Sequence, residues 1–325
     1  MSSAIRREQI AKYFGRVTEP IPSKRIMDGA GKAILRDEYG RVRHFYTGAA
    51  RGDYTDDTIL TLALAQSIAE VRGINIDDIA KKQLQAYEAC RLPSGKVAGG
   101  FGGTTRAGFE NLRKGISPLK SGVTGGPGNA PAMKMAPVGM YIDATGGYEE
   151  GLNYAEQIGR ITHLDPRSIA SGVVQAHAIY ALLNGVSRQE FLDSLAGTCA
   201  RWEKPATPEF QLAKSGSLTS RISWIRNNKD ATTEAAYGRI GSTSVVMESY
   251  PFAIFMLQKY WENPLEGLIE TVNFGGDCDT TGAIYGALSG AKNGLCFPDE
   301  WLKLVPSLEL MVEDADMIHG LKHVK

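Results

Sequence analysis

Two short stretches gather oxygen donors more densely than a helical chain needs. One is Tyr54-Thr55-Asp56-Asp57-Thr58; the other is Gly275-Gly276-Asp277-Cys278-Asp279-Thr280-Thr281-Gly282. Each sets two carboxylates and neighbouring threonine hydroxyls at the threshold of an apolar run. One chemistry open to them is helix capping, since Asp and Thr are favoured N-caps and negative charge suits a helix N-terminus. A cap uses one such residue, so adjacent aspartates in one cluster and an i, i+2 pair in the other exceed the need. The second chemistry is ion binding. Four carboxylates brought together repel one another unless a cation neutralises them. Asp and Thr oxygens without His or Cys suit a hard ion such as magnesium, manganese or calcium. Either cluster alone reads as a cap; the two together read as a metal site.

Two familiar motifs compete for the second cluster. Asp277-x-Asp279-x-Thr281-Gly282 opens like an EF-hand loop, but Leu288 stands at position twelve, where a bidentate glutamate is required. Asp-x-Asp-x-Thr also resembles the nucleophile motif of haloacid dehalogenase-type phosphatases, with Asp277 as the nucleophile. That motif normally ends an apolar strand early in a domain, whereas Val272-Asn273-Phe274-Gly275-Gly276 precedes it here, near the chain's end. Residues i and i+2 on an extended segment point the same way, so such a segment would turn Asp277 and Asp279 towards one site. Cys278 would then point away as a small apolar filler.

The elements that must position these residues read as helices. Thr58–Val71 is apolar at Ile59, Leu60, Leu62, Ala63, Leu64, Ile68 and Val71, broadly the spacing of a largely buried helix. Similar runs cover Ile79–Cys90, Thr105–Arg113, Tyr148–Thr162, Pro166–Leu183, Ser187–Ala196, Ser242–Gln258, Leu265–Val272 and Thr280–Lys292. In the last, Gly282, Ala283, Gly286, Ala287 and Gly290 are expected to permit close helix packing. Strand-like alternation is confined to a possible small hairpin near residues 33–46. Glycine-rich loops at Gly95–Thr104, Gly122–Asn129 and Asn273–Gly276 separate helices, and no linker or repeat divides the chain. The expectation is an all-α fold, one domain over residues 1–325, with function concentrated in these loops.

Composition excludes several classes. Lys+Arg and Asp+Glu are both 36 in 325 residues, so no basic excess points to nucleic acid or an anionic membrane. The first residues lack a signal-peptide pattern and no apolar run is long enough to span a bilayer. Four widely spaced cysteines form no CxxC pair, which suits a reduced, cytoplasmic protein without zinc.

Taken in order, Tyr54–Thr58 (YTDDT), Gly128–Pro137 (GNAPAMKMAP), Thr162–Pro166 (THLDP), Glu248–Ala253 (ESYPFA) and Gly275–Gly290 (GGDCDTTGAIYGALSG) resemble the ADP-ribosylglycohydrolase family. The resemblance implies an all-α fold with two divalent cations, Mg2+ or Mn2+, at the bottom of a cleft. By motif the ligands would be Thr55, Asp56, Asp57, Asp277, Asp279 and Thr280, with Asp279 bridging both ions. The implied reaction is hydrolysis of the bond between ADP-ribose and a protein side chain or small leaving group. Asp56, Asp57 and Asp279 are the candidate catalytic carboxylates, which could stabilise developing positive charge or take a proton from water. Gly125, Gly126, Gly128 and Asn129 would line the phosphate site, where glycine lets the backbone approach closely. The Phe101 loop with Gly102 and Gly103 could border the same cleft. His163 would lie near bound ligand, while Asp165 caps the helix at Pro166. His177, Met133, Met135 and Tyr250 read as packing.

The chain departs from the family at its start. The family's opening apolar helix and the glutamate gating the site have no evident counterpart, the glutamate's place falling near Ser3. Such a gap would leave an apolar groove that favours a homo-oligomer. It also keeps open a catalytically silent protein that binds ADP-ribose or a related nucleotide.

Overall fold

The computed structural model describes residues 5–21, 51–124, 126–204 and 216–323, and apolar residues at helical spacing produce helices through most of them. Strand β1 (Ile5–Arg6) leads into α1 (Arg7–Phe14). Next come α2 (Asp56–Val71), α3 (Ile76–Ala89), α4 (Gly103–Arg113), α5 (Pro118–Ser121), α6 (Ala130–Met133), α7 (Ala136–Thr145) and α8 (Tyr148–Arg160). The middle of the chain forms α9 (Pro166–Leu183), α10 (Arg188–Trp202), α11 (Leu218–Asn227), α12 (Thr233–Ile240) and α13 (Val246–Lys259). The last elements are α14 (Pro264–Asn273), β2 (Gly275–Gly276), α15 (Cys278–Asn293), α16 (Asp299–Leu302) and α17 (Leu308–His319). The fold is all-α, as the sequence led us to expect. No helix among the described residues is long and apolar enough to cross a membrane. The hairpin expected near residues 33–46 lies outside the described residues.

Two helices form the centre. In α9, Pro166 occupies the first turn and the Asp165 carboxylate accepts from the Arg167 N–H at 2.9 Å, as expected of its cap. Nearly every residue from Arg167 to Leu182 is buried, so α9 is enclosed on all sides and is packed on by α6, α7, α8, α10, α13 and α15. α13 is buried from Val246 to Gln258 apart from Glu248. Helix α7 approaches α9 at Gly139, where a methyl group would stand 2.6 Å from the Ala176 carbonyl oxygen. One core cluster runs from Leu60 to Leu321.

The only sheet among the described residues is two-stranded and antiparallel, pairing Ile5 with Gly276 and Arg6 with Gly275. The Asn273 side chain accepts from the Val17 N–H at 2.8 Å and donates to the Val17 carbonyl at 2.7 Å. The start of the chain is thus strapped to the turn that precedes Asp277.

Four local expectations are corrected. Asp277 and Asp279 do not share an extended segment: Asp277 is the N-cap of α15 and Asp279 lies in its first turn. Likewise α2 begins at Asp56, so its aspartates are helical residues and not a lead-in. Of the glycines in α15, only Gly282 meets a neighbour closely, with Val272 Cγ2 3.3 Å from the position a Cβ would take; at Gly286 and Gly290 that position is open. The run expected from Ser242 becomes helical only at Val246, the five residues before α13 serving a different purpose described below.

Candidate active site

The N-termini of α2 and α15 meet at an open cleft. Its lining includes Asp56, Asp277, Asp279 and Thr280, together with Gly126, Gly128, Asn129 and His163. Gly100, Gly102, Gly103, Thr104 and Thr105 form another wall. Gly125 lies outside the described residues. Thr55 and Asp57 stand behind the lining, where the Thr55 hydroxyl donates to Asp57 Oδ2 at 2.7 Å. Phe101 itself is buried, its ring edge-on to Tyr87 at 5.0 Å, so only its glycine neighbours reach the cleft.

Capping does not account for the carboxylates. Neither N-cap side chain, Thr55 or Asp277, makes a capping hydrogen bond. Asp57 and Asp277 are 3% and 1% exposed, which is unusual for charged groups lacking a cationic partner. Burial, followed by the charge of Asp279, pushes the Asp57 carboxyl up to about 7, while the Thr55 and Thr280 hydroxyls pull it down. Burial and then Asp57 and Asp279 raise Asp56 well above the usual carboxylate range. Asp277 is raised by burial and by Asp279. The two clusters, distant in sequence, therefore share one electrostatic environment.

The oxygens Asp57 Oδ1 and Asp277 Oδ1 are buried and have no hydrogen-bond partner. An orphaned buried carboxylate oxygen is costly unless something positive meets it. Among the described residues, no group of three or more His, Cys, Asp and Glu side chains stands close enough together to hold a metal ion as it is. The donor chemistry is all oxygen, which fits a hard divalent cation and does not fit zinc. The thiol of Cys278 is raised by burial and the flanking aspartates, and it does not reach the lining.

His163 is buried against the glycine loop. A methyl group at Gly128 would lie 2.7 Å from His163 Nε2, which accounts for glycine at that position. Its Nδ1 is 2.9 Å from the Thr162 hydroxyl, and burial with the nearby Lys134 charge lowers its pKa to about 3, so the ring is neutral. Lys134 is itself fully buried, its Nζ donating to Gln83 Oε1 at 2.9 Å. His177 packs in the core against Tyr148, and Met135 and Tyr250 are buried as expected; Met133 also touches the cleft.

Sequence reasoning missed the segment Gly241–Val245. The Ser242 carbonyl accepts from the Asp277 N–H at 2.7 Å, and the Ser242 hydroxyl donates to the Gly275 carbonyl at 3.1 Å. Val245 bridges Gly128, the Val246 N–H reaches the Pro127 carbonyl at 2.8 Å, and Ser244 lines the cleft. The same five residues thus hold the acidic turn and the glycine loop at once. Glu248 fixes their path by accepting from the Thr243 hydroxyl at 2.6 Å. Only Glu248 carried a sequence signal, through the ESYPFA stretch.

Comparison with known proteins shows the family. The family model described as ADP-ribosylglycohydrolase matches residues 7–324, and the chain belongs to that family. It is 26% identical over 301 residues to the mouse (Mus musculus) ADP-ribosylhydrolase ARH3, covering 84% of this chain and 79% of that protein. It is 28% identical over 289 residues to the ADP-ribosyl-[dinitrogen reductase] glycohydrolase of Rhodospirillum rubrum, covering 87% and 84%. A solved structure titled ADP-ribosylglycohydrolase-related protein complex superposes with a TM-score of 0.64 at 23% identity, covering 96% of this chain and 94% of that one, a likeness of fold.

Proposed function

We propose that this protein is a divalent-metal-dependent hydrolase that releases ADP-ribose from a modified protein side chain or a small conjugate. The observation that carries the reading is the convergence of buried carboxylates from α2 and α15, with orphaned oxygens on Asp57 and Asp277, on one cleft. Family membership and similarity to proteins named as ADP-ribosyl hydrolases support the substrate class.

Thr55, Asp56, Asp57, Asp277, Asp279 and Thr280 would hold two cations, Mg2+ or Mn2+. When bound, such ions supply Lewis-acid stabilisation and lower the pKa of a coordinated water. The protein's own residues do the rest. Asp56 and Asp279 are on the cleft wall and, once cations offset their burial, would present negative charge to an oxocarbenium-like centre at the anomeric carbon. Asp56 and Asp57 are the candidate acceptors of the water's proton. Gly126 and Gly128 allow a diphosphate to approach the backbone, and neutral His163 offers a ring that adds no charge to the wall.

Asp277→Ala combined with Asp279→Ala should abolish metal-dependent release of ADP-ribose from a mono-ADP-ribosylated protein. Full activity in that double variant would refute the site. Calorimetry with ADP-ribose and Mg2+ beside the turnover assay separates an enzyme from a silent binder, since binding without turnover supports only the latter. The phosphatase alternative loses its structural setting, because Asp277 follows a two-residue antiparallel strand and stands at the N-cap position of a helix.

A further inference from the structure

We infer that Asn129 is a positioning residue for Asp277, holding one carboxylate oxygen so that the other faces the cation site, and that Ser249 locks Asn129 in that role. The inference rests on the metal-centre reading above. Asn129 Nδ2 donates to Asp277 Oδ2 at 2.6 Å and to Ser249 Oγ at 3.1 Å, all three side chains being buried. An amide nitrogen carries two hydrogens, and this geometry uses both. The Ser249 hydroxyl gives its single proton to the Val245 carbonyl at 3.3 Å, so it can only accept from Asn129. Flipping the amide would set its oxygen against a carboxylate oxygen and against a hydroxyl with no proton to offer. The orientation is therefore fixed from both sides.

The consequence falls on Asp277. Its Oδ2 is held, while its Oδ1 is buried without a partner. A carboxylate with one oxygen pinned by a neutral donor loses its rotational freedom, the effect outer-shell partners have on metal ligands elsewhere. The support beneath Asn129 is firm as well: Ser168, on the central helix, donates its hydroxyl to the Gly128 carbonyl at 2.7 Å. This role differs from that of a phosphate donor, because no side-chain N–H of Asn129 remains for a ligand.

The test measures Mn2+ affinity by calorimetry for the wild type, Asn129→Ala and Ser249→Ala, with KM for an ADP-ribosylated protein at saturating Mn2+. Asn129→Ala is expected to weaken Mn2+ by about 10–100-fold, and Ser249→Ala to weaken it less, with KM unchanged in both. Unchanged Mn2+ affinity with a raised KM would make Asn129 a substrate ligand and overturn the inference. A lowered Tm with unchanged Mn2+ affinity would reduce it to a structural residue and overturn it too. If the wild type itself takes up no Mn2+, the metal reading fails first. Should Asn129→Ala not fold, Ser249→Ala, which removes one hydroxyl, carries the same comparison.

Discussion

Gly276→Ala concentrates the site's architecture in one methyl group. Gly276 has φ +78°, in the left-handed region, and an added Cβ would fall inside the Ser242 hydroxyl and carbonyl. The backbone conformation alone costs a non-glycine residue roughly 1–2 kcal/mol. Relieving the overlap costs about 1–3 kcal/mol more, as forced repacking generally does. Ser242 cannot simply move aside, because its carbonyl accepts the Asp277 N–H at 2.7 Å. Loss of that bond adds about 1 kcal/mol. A destabilisation of about 3–6 kcal/mol follows from these contributions, a large share of a typical domain's stability. Urea unfolding of metal-free protein measures it, and Mn2+ calorimetry should show weakened binding because Asp277 is displaced. Gly286→Ala is the control: its methyl meets nothing within 4 Å in the same helix. That change should stabilise by about 0.5–1 kcal/mol through helix propensity. If Gly276→Ala unfolds within about 0.5 kcal/mol of wild type, the range of an uninvolved surface change, the brace described here does not exist.

The metal-free protein should also titrate in a specific way. Asp57 is raised from 3.8 to about 7, so the folded state keeps a proton that the unfolded chain releases. Its contribution is complete below 3.8 and is lost as pH rises towards 7, so Asp57→Asn should remove a downward slope across that window. His163 and His177, lowered from 6.5 to about 3 and about 4, slope the opposite way below 6.5, so the difference between wild type and variant in urea titrations is the quantity to read. An identical pH profile for the two proteins would refute the environment assigned to Asp57. Gly128→Ala should disturb substrate and spare the cations, since its methyl would press on His163 Nε2 at 2.7 Å. We expect a loss of about 10–100-fold in kcat/KM with Mn2+ affinity retained, and steady-state kinetics beside calorimetry would expose the reverse pattern.

The acidic turns were legible in the sequence because charge at the start of an oily helix is conspicuous. So were α2 and α9, whose apolar residues leave little ambiguity. Helix α6 was hidden inside a stretch read as a motif, and α17 buries only Ile318 among residues such as Glu309, Glu313 and Asp316, so its pattern looked unlike a packed helix. The brace at Gly241–Val245 left no trace for a different reason: its bonds to Asp277 and Gly128 are made by the Ser242 and Val245 main chains, which any residue would supply, and the Ser242 hydroxyl adds one bond to the Gly275 carbonyl. The i, i+2 spacing of Asp277 and Asp279 suits an extended segment, but the helix starts one residue after Asp277, which spacing alone does not reveal.

The pairing of Ile5 with Gly276 has a bearing on how the molecule assembles. It joins one of the first described residues to a position near the far end, closing most of the chain into a loop whose entropy must be given up before the contact forms. The acidic turns have the same topology, since helices α3 to α14 lie between α2 and α15 in the chain. Their mutual repulsion is therefore absent from early, local folding and is felt only as the last long-range contacts close. A cation that relieves it should chiefly slow unfolding, leaving the rate of folding almost untouched.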